Sequence, residues 1–362
     1  MSHFRFNTGH ETVELPLQPD IRKIYIEPTT VCNFACVTCI RHSWSDRIGH
    51  MEAATFARII DSLKQLPQVE AIHLGGFGEP LTHPDILKML MTCKAAGYKI
   101  EMITNGSLLT ADVAESFVDF PLDWLFVSLD GPDAECFGKI RPGADYDSVV
   151  DNVSRLQQLK KERNKKEPRL GIEFVATKTN FSALPSMRKV IDTLKAEKFI
   201  ISNLLPYHAS MKNEILYDKD YDMAGFGHES VLLSWKTTPN LKIRTQRTCK
   251  FVQDKAVAIT CDGNVSPCYA YMHNYKCYIL GREKEMVAHH FGNVDDRPLA
   301  DIWTDPNYAV FRWTVRNSQY PSCTDCRQVD GCCMAQTNEA DCWGNQPSCG
   351  DCLWAREIIA CP

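Results

Sequence analysis

Three cysteines, Cys32, Cys36 and Cys39, fall within eight residues in the spacing Cys-x3-Cys-x2-Cys, directly after the apolar run 24–26. Thiolates are the ligands of iron-sulfur clusters, and three on one tight loop can hold three corners of a cubic 4Fe-4S cluster. With no fourth cysteine nearby, one iron stays open to a substrate or cofactor. Zinc suits this loop less well, because structural zinc takes four protein ligands, generally in paired Cys-x2-Cys knuckles.

The other cysteines are unevenly spread. After Cys93 and Cys136 none occurs until Cys249, and twelve of the 17 occupy the last 114 residues. The count is odd, and the opening MSHFRFNTGHETVELP lacks the basic, apolar and small-residue zones of an export signal. A disulfide framework is therefore not expected, and metal ligation is. Cys249 is followed by thirteen residues, Gly263, four residues and Cys268; further on come Cys323-x2-Cys326-x5-Cys332, then Cys342 and Cys349-x2-Cys352. The two knuckles could serve zinc, but zinc leaves Cys249, Cys268, Cys332 and Cys342 unexplained. Cys93 and Cys136 lie in helix or turn contexts and read as packing thiols. Cys261, Cys277, Cys333 and Cys361 are unassigned: Cys333 could replace its neighbour, and Cys261 or Cys277 could supply a missing ligand.

Elements able to position the first loop recur over some two hundred residues. Short β-branched or apolar runs at 24–26, 71–74, 99–103, 124–129, 172–176 and 199–205 alternate with helical patterns. The first such pattern places Phe56, Ile59, Ile60 and Leu63 on one face; later ones span 84–96, 111–118, 146–161 and 186–195. Six strand-helix units predict an open or partial α/β barrel, and no seventh or eighth run of the same kind is evident. Chemistry in such a fold gathers at the C-terminal ends of the strands. There lie the cysteine loop, Gly75-Gly76-Phe77-Gly78-Glu79-Pro80, Thr104-Asn105-Gly106 and Asp130-Gly131-Pro132. Any one of these loops could be a plain turn; together they share one rim. The expected organisation is an N-terminal extension (1–20), the barrel (21–205), a bridging segment (206–248) and a cysteine-rich domain (249–362) with little helix before 307–316.

These loops and spacings together resemble the radical S-adenosylmethionine (radical SAM) superfamily. The resemblance covers about 21–205 and implies that Cys32, Cys36 and Cys39 hold a catalytic 4Fe-4S cluster whose open iron takes the amino and carboxylate groups of S-adenosylmethionine. Gly75, Gly76, Glu79 and Pro80 are similar to the family's Gly-Gly-Glu-Pro motif, with Phe77 and Gly78 inserted. Ser128, Asp130 and Arg141 occupy positions similar to family residues that meet the ribose or carboxylate, and Asn105 is assigned to the cofactor as well. Arg141 could fork onto a carboxylate; its alternative is a surface arginine. The implied chemistry is one-electron cleavage of S-adenosylmethionine to a 5′-deoxyadenosyl radical. The C-terminal spacings resemble a SPASM domain, a module with two further 4Fe-4S clusters. Its pattern expects a cysteine four positions after Cys332, where this chain has Gln336. Cys249, Cys268, Cys323, Cys326, Cys332, Cys342, Cys349 and Cys352 together suffice for two four-ligand clusters.

The end of the chain narrows the resemblance. Asp341-Cys342-Trp343-Gly344-Asn345, the stretch CGDCLWAR from Cys349, the closing Cys361-Pro362, the stretch SNLLPY from Ser202 and HNYKCYILGREK from His273 look like the radical SAM maturases of tungsten cofactor oxidoreductases. That implies a tungsten oxidoreductase or its pterin cofactor as substrate, and a ferredoxin or flavodoxin as electron donor. Two other classes compete. A SPASM enzyme modifying a ribosomal peptide or a protein side chain is disfavoured, because some twenty residues before position 21 are too few for a peptide-recognition domain. A non-catalytic iron-sulfur or zinc protein would leave the open iron and the glycine-rich rim without purpose.

Acid-base candidates are Asn203, Tyr207, Asp262 and Asp341, each also readable as a polar turn residue. His289 and His290, if in a strand, point opposite ways and suit solvent better than a metal. Trp303, Phe311 and Trp313 read as core. The formal charge of -5, with no basic run beyond 160–166, argues against nucleic acid as a main partner. No run approaches eighteen apolar residues, so no membrane span is expected and a cytoplasmic location is.

Overall fold

The computed structural model describes residues 2–9, 11–218 and 247–360. The N-terminal extension forms a hairpin of β1 (Ser2–Asn7) and β2 (Thr12–Leu17). Phe6 meets Trp313 edge-on at 5.2 Å, so the hairpin is fastened to the far end of the chain. There follow β3 (Lys23–Ile26), α1 (Ala53–Leu63), β4 (Ala71–Leu74), α2 (Ile86–Ala95), β5 (Lys99–Thr104), α3 (Ala111–Asp119) and β6 (Trp124–Ser128). The series continues through α4 (Ala134–Ile140), α5 (Tyr146–Glu162), β7 (Arg169–Ala176), α6 (Met187–Leu194) and β8 (Lys198–Asn203). Side-chain caps start several helices: Thr110 accepts from Val113 N, Asp133 from Cys136 N and Asp145 from Ser148 N.

Strands β3 to β8 pair in parallel and in sequence order. One face of the sheet carries Ile24, Ile26, Ile72, Leu74, Val127 and Ile172, all buried against helix residues such as Phe56, Ile59, Leu63 and Leu90. Each such side chain contributes roughly 1.5–3 kcal/mol of burial. Alternation puts Tyr25, His73, Glu101, Phe126 and Glu173 on the opposite face. Gly171 is required there: a Cβ would lie 2.4 Å from the Phe126 ring.

The expectation of no seventh strand is corrected. After α7 (Lys250–Gln253), β9 (Ala256–Ile259) pairs in parallel with β3, and β10 (Asn264–Ser266) then runs antiparallel to β9. The four-residue run Ala-Val-Ala-Ile is too short, and too far along the chain from its partner, for a sequence pattern to reveal the pairing. Beyond β10 lie the hairpin β11 (Tyr275–Ile279) and β12 (Arg282–Met286), then β13 (Gly292–Asn293), α8 (Leu299–Trp303) and α9 (Pro306–Arg316). β13 completes a nine-stranded sheet, so the sheet crosses the boundary drawn at 248.

Trp303 and Phe311 are buried as expected, whereas Trp313 is only half-buried under the first hairpin. His289 and His290 are half-buried in an irregular segment rather than solvated in a strand. The His289 amide donates to Tyr271 O, and His290 Nε2 lies 3.1 Å from Met272 O. Among the described residues no helix is long and apolar enough to cross a membrane.

Candidate functional site

The loop of Cys32, Cys36 and Cys39 leaves the end of β3 and is tied down from several sides. Val37 N donates to Ile140 O at the end of α4, His42 Nε2 lies 2.8 Å from Cys36 O, and Arg41 reaches Phe34 O at 3.4 Å. Asn105, on the loop after β5, donates from Nδ2 to Asn33 Oδ1 at 2.9 Å and points the same group at Cys32 Sγ, 3.9 Å away. Burial pushes the Cys36 thiol up to about 11, against the opposing pull of Arg141, and raises that of Cys39. Three neighbouring thiols on one loop, backed by a guanidinium, fit a cluster held by three thiolates. Binding iron would displace their protons.

The 75–80 segment is moulded against the same strand end. A Cβ on Gly76 would lie 2.5 Å from Glu27 Cγ, and one on Gly78 would lie 2.2 Å from Thr29 O, a backbone atom that cannot swing aside. Close approach, not turn conformation, therefore demands these glycines. Glu79 is buried with its carboxylate fully engaged: Oε1 accepts from Thr104 Oγ1 at 2.7 Å and from Leu81 N at 3.1 Å, and Oε2 from Asn105 N at 2.6 Å. Its side chain thus locks the loops after β4 and β5 together, which leaves the backbone of the turn to face a ligand. Pro80 starts the following single turn of 3-10 helix.

Asp130, beyond β6, accepts from Arg141 Nε at 2.8 Å on Oδ2 and from Val175 N at 2.8 Å on Oδ1. Arg141 is buried, not a surface arginine. Burial opposes its charge, but Asp130 and the thiols of Cys36 and Cys32 outweigh that and hold its pKa above the usual value. Asp130 therefore aims Arg141 at the cysteine loop. Ser128 ends β6, half-buried, opposite Glu173 of β7.

Glu173 escaped the sequence reading; its only signal was a carboxylate inside the apolar run Ile172 to Ala176. Its Oε1 is out of solvent and without a hydrogen-bond partner. Burial, with Asp130 nearby, pushes its carboxyl up to about 8 despite Arg141. An unfolded glutamate titrates near about 4.3, so between that value and the folded one the native state keeps a proton that the unfolded state has lost. Stability must fall as pH rises across that window. Glu173→Gln is expected to flatten the slope and to exceed the wild type at about pH 8 by roughly 2–4 kcal/mol. Unfolding curves at about pH 5 and about pH 8 measure this.

The C-terminal cysteines separate into groups. Cys249, Cys268, Cys349 and Cys352 line one apolar cavity, with Tyr271, Tyr275, Leu353 and Cys277 among its walls. Burial raises all four thiols, and neighbouring cysteines add to the rise at Cys249, Cys268 and Cys349. Tyr271 OH lies 3.7 Å from Cys349 Sγ. Four of the five cysteines lining this cavity would be a complete donor set for a four-ligand cluster. Among the described residues no three His, Cys, Asp or Glu are grouped closely enough for a single metal ion. Cys323, which is not among the residues lining that cavity, has Cys342 as an electrostatic neighbour, with Cys326 and Cys332 on the adjoining single turns. Gly350 separates the groups, since a Cβ there would lie 2.5 Å from Cys323 Sγ. Between them Lys284 and Arg282 converge on buried Asp351, at 3.0 and 2.6 Å. Gln336 is exposed and its carbonyl accepts from Glu285 N.

Cys93, Cys136 and Cys261 are buried, and Cys333 is exposed; Cys361 lies outside the described residues. The acid-base candidates are largely occupied. Asn203 donates to Ile358 O at 2.9 Å, so the tail covers the end of β8 instead of leaving that residue open. Asp341 is buried and caps the turn through Trp343 N and Asn345 N. Asp262 is exposed near Arg47, and Tyr207 packs edge-on against Tyr275.

Comparison with known proteins agrees with this geometry. The model of the radical SAM superfamily matches residues 26–166, and that of the SPASM iron-sulfur cluster-binding domain matches 249–327. The chain is 36% identical over 350 residues, covering 94% of itself and 97% of the relative, to the tungsten-containing aldehyde ferredoxin oxidoreductase cofactor-modifying protein of Pyrococcus furiosus. It is 26% identical over 317 residues, 80% of itself and 84% of the relative, to the AdoMet-dependent heme synthase of Methanosarcina barkeri. Among solved structures, Streptococcus suis SuiB bound to S-adenosylmethionine has a TM-score of 0.59 at 18% identity, over 86% of this chain and 72% of that one. Native anSMEcpe with bound AdoMet has a TM-score of 0.58 at 16% identity, over 93% and 95%. Such identities show the fold alone. Matching domain models on both halves and an end-to-end relative above 30% identity establish that the chain belongs to the radical SAM superfamily, as an enzyme with a C-terminal SPASM iron-sulfur domain and in the family of the P. furiosus cofactor-modifying protein.

Proposed function

We propose that this enzyme uses S-adenosylmethionine to modify the pterin cofactor of a tungsten-containing aldehyde oxidoreductase. The observation that carries the reading is the 36% identity spread over nearly the whole of both chains, SPASM half included. A reduced 4Fe-4S cluster at Cys32, Cys36 and Cys39 would supply the electron that cleaves S-adenosylmethionine to methionine and a 5′-deoxyadenosyl radical. The protein's part is orientation. The 75–78 turn offers backbone groups to the cofactor's amino group, braced by Glu79 and Pro80. Arg141, aimed by Asp130, takes the carboxylate. Ser128 and Asn105 flank the adenosyl side. Cys249, Cys268, Cys349 and Cys352 hold one auxiliary cluster, and Cys323, Cys326, Cys332 and Cys342 the other. In this assignment the Cys349-x2-Cys352 knuckle supplies what Gln336 cannot. A ferredoxin or flavodoxin donates the electron, in the cytoplasm.

The test is to express a tungsten oxidoreductase from the same source with and without this protein. Loss of aldehyde oxidation, with a changed mass of the extracted pterin cofactor, is the expected result. Identical activity and cofactor mass in both would reject the role and favour a peptide or protein side chain as substrate.

A further inference from the structure

Apart from the cofactor and cluster sites, one set of buried ionisable groups joins the two halves of the chain. Glu27, fully buried just beyond β3, lies 2.9 Å from Nε2 of His273, and Nδ1 of the same ring lies 2.9 Å from Asp46. Carboxylates on both ring nitrogens are satisfied together only when both nitrogens carry protons. Burial works against that charge, yet Glu27 and Asp46 outweigh it and raise the pKa of His273. The ring stacks on Trp44 with centroids 4.1 Å apart, and Phe77 packs against it edge-on at 5.8 Å. Asp46 is itself gripped by Asn274, through N at 3.1 Å and Nδ2 at 2.8 Å.

The far side of Glu27 carries the consequence. Its Oε1 accepts from Phe77 N at 3.1 Å, and its side chain occupies the space that any Cβ on Gly76 would need. The carboxylate thus lies directly beneath the turn assigned above to the cofactor's amino group. Without His273 it would be a buried charge with two backbone donors, Phe77 N and the more distant Cys261 N at 3.4 Å. A buried charge left so thinly paired is driven toward solvent or another partner, and its displacement would loosen the turn.

We infer that His273 is a positioning residue of the S-adenosylmethionine site: clamped between Asp46 and Glu27, it fixes the 75–78 turn, so that docking of the SPASM half sets the loop that receives the cofactor. This rests on the proposed reading of that turn, and the test separates the two. S-adenosylmethionine binding by equilibrium dialysis and the maximal rate of its cleavage are measured on protein of full iron content. His273→Gln, which keeps hydrogen-bonding capacity but loses the charge, is expected to weaken binding about tenfold while the maximal rate changes by less than about twofold. Should that variant lose iron or fail to fold, Asp46→Asn is expected to weaken binding about threefold. Unchanged affinity at full iron content, or a fall in maximal rate alone, overturns the inference. Arg141→Met is the control for the site itself: if it also leaves affinity unchanged, the reading of the cofactor site fails, and the role of His273 with it.

Discussion

Replacing Cys32, Cys36 and Cys39 together by alanine is expected to abolish cleavage of S-adenosylmethionine, a fall of roughly a thousandfold or more in rate, and to lower the iron content by about four per chain. The loop has no other thiol to offer, and the buried Cys93 and Cys136 lie on the helices α2 and α4. The loop has anchors other than the three sulfurs: Val37 N donates to Ile140 O and Asn33 Nδ2 to Ser107 Oγ at 2.8 Å. The variant should therefore still fold and keep its auxiliary iron. Anaerobic purification, iron and sulfide analysis, and detection of 5′-deoxyadenosine under a strong reductant read all three outcomes. Cleavage that survives the triple replacement would place the reactive cluster elsewhere.

The second large effect is expected from Cys349→Ala with Cys352→Ala. These thiols are two of the four assigned to the cluster in the cavity shared with Cys249 and Cys268. A cluster left with two ligands in an apolar cavity is not retained, so iron should fall by about four while the iron at Cys32, Cys36 and Cys39 remains. Cofactor modification should be lost. Gln336→Ala is the telling comparison, because an exposed residue engaged through its backbone N and carbonyl, both kept by alanine, should leave the iron content unchanged. Cys277→Ala tests the fifth thiol of the cavity and should also retain iron. Loss of iron from Cys277→Ala, with none from the double variant, would reverse the assignment.

Much of the barrel was legible because its signals are local. Short β-branched or apolar runs between helical patterns mark β3 to β8, and the spacing of Phe56, Ile59 and Leu63 marks α1. The cysteine loop was legible for the same reason: its ligands lie within one turn of chain. Less visible were features whose partners are distant. The pairing of β9 with β3 joins Ala256 to Lys23, and no short window of sequence contains both. Asn203 illustrates a different failure. A polar residue at the end of the last crossover strand suggested an open face, but the 358–360 segment returns to cover it.

Residue type and spacing by themselves determined that this chain carries iron-sulfur chemistry on an α/β barrel, because thiolate ligands on one loop and strand-helix alternation are written in consecutive residues. Only the tertiary structure decided which distant thiols share a cavity, that Glu79 braces two loops instead of reaching outward, and that His273 meets Glu27 and Asp46. Those outcomes depend on which side chains are driven out of water together. A buried carboxylate or thiol must find its partners wherever the chain brings them, and that location is a property of the packed fold.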